Sequence, residues 1–104
     1  MHGRMAKYSY TGDAQELAST AEEGILPIFQ GISGFKSYSI AANDDVLLSF
    51  SAWESEEAAE EAHKAVASWV AENMADKIKL IESQIGEIYV ATALGVSTKA
   101  GVTA

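Results

Sequence analysis

Two stretches of this chain carry the apolar spacing of an amphipathic helix, and each lies between stretches that alternate. In the first, Leu17, Ala21, Ile25, Ile28, Phe29 and Ile32 recur three and four residues apart. In the second, Ala58, Ala59, Ala62, Ala65, Val66, Trp69, Val70 and Met74 do the same. A chain of 104 residues that switches its apolar period in this way has few architectures open to it. It is long enough for one domain with a modest core.

The punctuation between these stretches sets the expected boundaries. Residues 6–11 place Tyr8 and Tyr10 on one face of a short strand, and Gly12-Asp13 ends it. Asp13 is a helix N-cap, with Glu16 completing a capping box. Gly24 and Pro27 predict a kink or break near 23–27, and a kinked first helix would be able to open as a lid. Gly31-Ile32-Ser33-Gly34 closes that helix. Residues 35–41 and 46–53 alternate around the polar turn Asn43-Asp44-Asp45, which reads as a β-hairpin. Ser55 caps the second helix, Glu56 and Glu57 suit its positive end, and its period lasts to about residue 76. Residues 84–94 read as a fourth strand, with Ile88, Val90 and Thr92 on one face. Residues 1–5 are expected to be an N-terminal extension, 6–94 the domain, and 95–104 a mobile tail or an arm on a partner.

The order strand, helix, strand, strand, helix, strand predicts an α+β, ferredoxin-like βαββαβ fold. Its four-stranded antiparallel sheet carries both helices on one face. In the third strand Val46, Leu48, Phe50 and Ala52 alternate with Leu47, Ser49, Ser51 and Trp53. Neither set is strongly polar, so both faces are expected to be covered. We assign Leu47 and Trp53 to the face away from the helices, where a second copy would bury them. The expected assembly is a homodimer with its sheets face to face, a dimeric α+β barrel.

Charge and composition remove several classes. Fifteen acids stand against seven bases, a net charge of -8. Nucleic acid and anionic membrane are poor partners for such a chain. There is no cysteine, which excludes disulfides, thiolate catalysis and cysteine-held metal clusters. No apolar run approaches the length of a membrane span, and the first residues lack a secretory apolar region. A cytoplasmic protein is the expectation. The acidic run Glu54, Glu56, Glu57, Glu60, Glu61 is a solvated helix face, and no metal site is expected from it.

The run from Leu48 through Trp53, Ser55 and the acidic, Ala-rich helix start to His63 resembles the antibiotic-biosynthesis-monooxygenase-like domains of the dimeric α+β barrel superfamily. Those domains end their third strand with a Trp and place a His ten residues later, as Trp53 and His63 do here. Gly34-Phe35 resembles their entry into the second strand. The resemblance covers residues 6–94. It implies a cofactor-independent monooxygenase for a small aromatic, polyketide or quinol-like substrate, with no metal or flavin. Pocket groups in such oxygenases include Asn, Trp, Tyr and Arg. This sequence supplies Trp and Tyr, whereas its single Arg, Arg4, falls in the expected extension. Haem-binding relatives imply an alternative, with His63 as axial ligand. They also use an Asn from the first strand, where this chain offers Lys7, Tyr8, Ser9 and Tyr10. A third reading is a non-catalytic dimer that binds a small ligand or serves as a stress-related module.

The candidate residues follow. His63 falls at the edge of the buried face of its helix, beside Val70. There it is either a base for a phenolic proton or a structural His bonded within the fold. It is expected to be the only His inside the fold, with His2 in the extension. Trp53 either stacks on an aromatic ligand beside the base or packs in the dimer interface. Tyr8, Tyr10 and Tyr38 would aim hydroxyls into a cavity between sheet and helices, to hold a substrate oxygen or protonate a peroxide. Phe29, Ile32 and Phe50 would line it.

Overall fold

The structure is a computed structural model that describes residues 1–99. Its elements are β1 (His2–Tyr10), α1 (Ala14–Gln30), β2 (Phe35–Ala42), β3 (Val46–Trp53), α2 (Glu56–Asn73) and β4 (Ile78–Glu87). The strands form one antiparallel sheet in the order β2-β3-β1-β4. This is the expected βαββαβ plan. Both helices pack on one face of the sheet.

The caps act as their residue types dictate. The Asp13 carboxylate accepts from the amide of Gln15, and the Ser55 hydroxyl accepts from the amide of Ala58. Each satisfies one amide that a helix start leaves open. The helix α1 runs unbroken through Pro27, against the expectation of a break. Pro27 and Glu23, the residue one turn before it, are both exposed. The bond that proline forfeits therefore falls on the wet side of the helix, near its end. The helices meet where Gly24 lies directly under the indole of Trp69; a Cβ built there would overlap the ring.

Two groups of side chains fill the space between helices and sheet. One contains Ala21, Ile25, Phe29, Trp53, Ala58, Ala59, Ala62 and Val66. The other contains Ala6, Tyr8, Leu17, Leu47, Met74 and Ile78. Leu47, Ser49, Ser51 and Trp53 thus face the helices, and the expected assignment of the faces of β3 is reversed. Val46, Leu48 and Phe50 lie on the opposite face. Alternation alone could not orient this strand, because neither of its faces is polar. Register with β1 sets it: Trp53, Ser51, Ser49 and Leu47 stand opposite His2, Arg4, Ala6 and Tyr8 and share their face.

A β-bulge interrupts β2. Phe35 opposes Trp53, but Ser37 opposes Ala52, which leaves Lys36 as the extra residue. Phe35, Tyr38 and Ile40 all pack toward the helices as a result. A second bulge in β4 falls at Ile81, between the pairs Lys7–Glu82 and Tyr8–Leu80.

Both ends of the sheet depart from expectation. β1 begins at His2, so residues 2–5 are strand and not extension. It is a central strand, paired with β3 and β4 along its length, and His2 opposes both Trp53 and Glu87. β4 begins six residues before the expected start and ends at Glu87. Beyond Glu87 the ladder with β1 ends, and Ile88 donates to the carbonyl of Met1. Val90 and Thr92 pair with no strand among the described residues. The chain instead makes a short 3-10 turn at Thr92–Leu94 and an isolated bridge between Ala91 and Val96. Of the expected tail, residues 100–104 lie outside the described residues. No described helix is long and apolar enough to cross a membrane.

Candidate functional site

The inner face of β1 carries His2, Arg4, Ala6 and Tyr8 in alternation, under α2. Arg4 is only 2% exposed. Its Nε donates to Nδ1 of His63, on the first half of α2, at 3.1 Å. Its Nη1 is enclosed and has no hydrogen-bond partner among the described residues, and the same holds for Nδ1 of His2. Arg4 makes no ion pair with a carboxylate among the described residues, in a chain with an excess of acids. A guanidinium cannot shed its charge as a buried lysine can. An enclosed cation with one neutral partner and no counter-ion is an expensive arrangement.

The Arg4–His63 pair stands at a cleft of about 230 Å³ between α2 and the β1–β4 edge. Tyr8, Val70, Ala71, Ile78 and Leu80 supply its apolar walls. Tyr8, Val70 and Ile78 also border a small internal void of about 20 Å³, on whose far side lie Tyr38 and Ser49. The cleft and the void thus share a wall that leads toward Tyr38. Three larger hollows open at the surface. One lies between α1 and β2, one on the free sheet face against Ile88 and Leu94, and one beside Gly12-Asp13 and Lys77.

The titrating groups are set by this packing. Burial lowers the pKa of His63, and the Arg4 cation beside it lowers it further. The ring is therefore neutral at pH 7. Because Arg4 donates to Nδ1, that nitrogen carries the lone pair and Nε2 carries the hydrogen. Burial pushes the Tyr38 hydroxyl up to about 12, with the neighbouring Ser49 hydroxyl partly offsetting it. Tyr38 is thus a neutral phenol, a proton donor and not a base.

The expected pocket residues do not converge. His63 and Tyr8 border the cleft, and Tyr38 borders the void behind it. The Tyr10 hydroxyl is spent on the carbonyl of Asn43 at 2.7 Å, tying β1 to the hairpin turn. Phe29 is fully enclosed, edge-on to Tyr38 at 4.9 Å and to Trp53 at 5.0 Å. Ile32 packs against the same group. Phe50 is on the free face of the sheet and 44% exposed, so it cannot line a cavity beneath the helices. Trp53 is fully enclosed, and its Nε1 donates to Ser51 Oγ at 2.9 Å. It borders neither the cleft nor the free face, because the helix-side core claims it. His63 is also not the only His within the fold, since His2 lies in β1.

Sequence reasoning passed over Arg4. A signal was present. His2, Arg4, Ala6 and Tyr8 share one parity, so extending the strand backward from Tyr8 places the guanidinium under α2.

Haem does not fit these residues. An axial His is made a better ligand when its second nitrogen donates to a carbonyl or carboxylate. Here that nitrogen accepts from a cation. The cleft is also smaller than the roughly 300–1,000 Å³ that drug-sized ligands occupy.

No family model and no curated protein matches the sequence. Solved structures do match its fold. SnoaB of Streptomyces nogalater, a cofactor-independent oxygenase, superposes with a TM-score of 0.69 at 13% identity, over 86% of this chain and 94% of its own. The ActVA-Orf6 monooxygenase of Streptomyces coelicolor, solved with nanaomycin D, gives 0.67 at 19% identity, over 86% and 88%. Rv0793 of Mycobacterium tuberculosis gives 0.65 at 12% identity, over 86% and 96%. The chain thus has the ferredoxin-like α+β fold of the antibiotic-biosynthesis-monooxygenase-like domains.

Proposed function

We propose that the protein is a cofactor-independent monooxygenase for a small aromatic molecule with a phenolic oxygen. The observation that carries this reading is the Arg4–His63 pair. A cation and a neutral imidazole share one hydrogen bond at the edge of an apolar cleft.

The pair supports a simple exchange. A phenolic oxygen entering the cleft takes the guanidinium from His63, and the freed Nδ1 lone pair accepts the proton. Arg4 then balances the oxyanion, as a positioned cation does where charge develops. His63 is the base in this scheme, and its low pKa suits it to release that proton again. The electron-rich anion gives one electron to O2, and the radical pair joins at an activated ring or benzylic carbon as a hydroperoxide. Collapse of a CH–OOH group leaves C=O and releases water. One oxygen atom ends in product and one in water, and both electron pairs come from the substrate. The proton held on His63, at the cleft, passes to the departing hydroxide, and Tyr38 lies farther off across the void. Trp53, at the base of the aromatic cluster, holds the sheet in place and touches nothing in the cleft. The two oxygenase folds described above favour the same reading by analogy.

We also propose a homodimer through the free sheet face, where Val46, Leu48 and Phe50 remain without cover from the helices. Light scattering on Phe50→Lys tests this second part, and an unchanged mass would remove it.

The decisive assay is oxygen uptake by metal-free, flavin-free protein supplied with small phenols and hydroquinones. Uptake should match substrate one to one and fall at least a hundredfold in Arg4→Met and in His63→Ala. Absence of uptake across such a panel removes the oxygenase reading and leaves ligand binding without catalysis.

A further inference from the structure

We infer that the cleft between α2 and the β1–β4 edge is a binding site for a single-ring organic monoanion, with Arg4 as its anchor. The inference rests on the reading above and deepens it, because it names the size and charge of the ligand.

The first observation is charge. Arg4 is enclosed, permanently charged, without a carboxylate partner among the described residues, and short of an acceptor at Nη1. His63 uses one of its five N–H groups. The planar fork of the remaining donors matches a carboxylate or phenolate oxygen. An anion in the cleft, which Arg4 lines, would supply the missing charge.

The second is size. The cleft holds about 230 Å³. That is below the range of drug-sized sites. One ring with a short substituent fits within the cleft. The third is surface chemistry. Tyr8, Ala67, Val70, Ala71, Ile78 and Leu80 present an apolar body to the ring, so the charge recognised is confined to one end. Before a ligand enters, Nδ1 of His63 holds Nε of the guanidinium, which sets the direction of the other donors.

Benzoate and 4-nitrophenolate are the probes, with benzamide as the neutral counterpart of benzoate. Calorimetric titration of the wild-type protein should show one benzoate per chain, bound at least tenfold more tightly than benzamide. Arg4→Met should erase that preference. Ala71→Trp, an exposed substitution at the rim, should block both ligands while circular dichroism stays unchanged. It keeps the test decisive if Arg4→Met does not fold. Comparison of the two anions tells carboxylate from phenolate recognition, and either one satisfies the inference. Benzamide binding as tightly as benzoate, or binding that survives Ala71→Trp, overturns it. So does absence of binding by both anions. Oxygen uptake is a separate readout. Anion binding without uptake on phenols removes the oxygenase and leaves the site; uptake without anion preference does the reverse.

Discussion

Replacing Gly24 by Ala sets two effects of opposite sign against each other. In an isolated helix this change is favourable by about 1 kcal/mol. Here the new methyl would overlap the Trp69 indole, lying 2.7 Å even from Nε1 and closer to two of its ring carbons. The ring has little room to retreat, because Trp69 packs against both core groups. Overpacking of this kind costs about 1–3 kcal/mol, and the triple overlap places it near the upper end. The net loss is then about 2 kcal/mol after the helix gain. For a domain of this size that lowers Tm by roughly 8 °C, at about 4 °C per kcal/mol. Thermal denaturation followed at 222 nm reads it directly. Trp69→Leu should make room, so Gly24→Ala in that background should cost little or even stabilise. A Tm for Gly24→Ala at or above wild type would refute the reasoning, since propensity would then outweigh the contact. It would also reopen the idea that α1 is loosely held and able to lift.

Other predictions concern titration. The His63 pKa is depressed in the fold, so its contribution to stability is full above the unfolded value of about 6.5 and is lost as pH falls through the folded value. NMR titration of the ring should find it below that unfolded value, and Arg4→Met should raise it by removing the neighbouring cation. Tyr38 behaves oppositely. Its pKa is raised to about 12, so stability is intact below the unfolded value of about 10 and is lost as pH climbs toward 12. Ultraviolet difference absorbance should show one late-titrating tyrosine, absent in Tyr38→Phe.

The architecture was legible because the helices signal themselves twice, by period and by cap. Asp13 and Ser55 stand at the caps their chemistry requires. The site was far less legible. Arg4 reads as part of an N-terminal extension, because polar residues at inward positions break the apolar alternation of β1. The faces of β3 were ambiguous for the opposite reason, since both are apolar and only the register with β1 separates them. The end of β4 was misplaced because a strand needs a neighbour, and the sequence of Ile88 to Thr92 holds no record of where β1 stops. Pro27 was over-read, since its cost depends on which side of the helix meets water.

The single extra residue at Lys36 has a consequence for how this chain can change. Phe35 and Tyr38 are three positions apart, an odd interval that would send them to opposite faces of a regular strand. The bulge corrects the parity and lets both touch Phe29. The segment between Gly34 and Tyr38 is therefore a spacer of set length. Losing one residue there would expel Phe35 or Tyr38 from the interior, although the residue removed would be an exposed lysine. Substitutions at Lys36 are cheap and deletions are not, so a comparison of natural variants should find its identity drifting while its place in the count is kept.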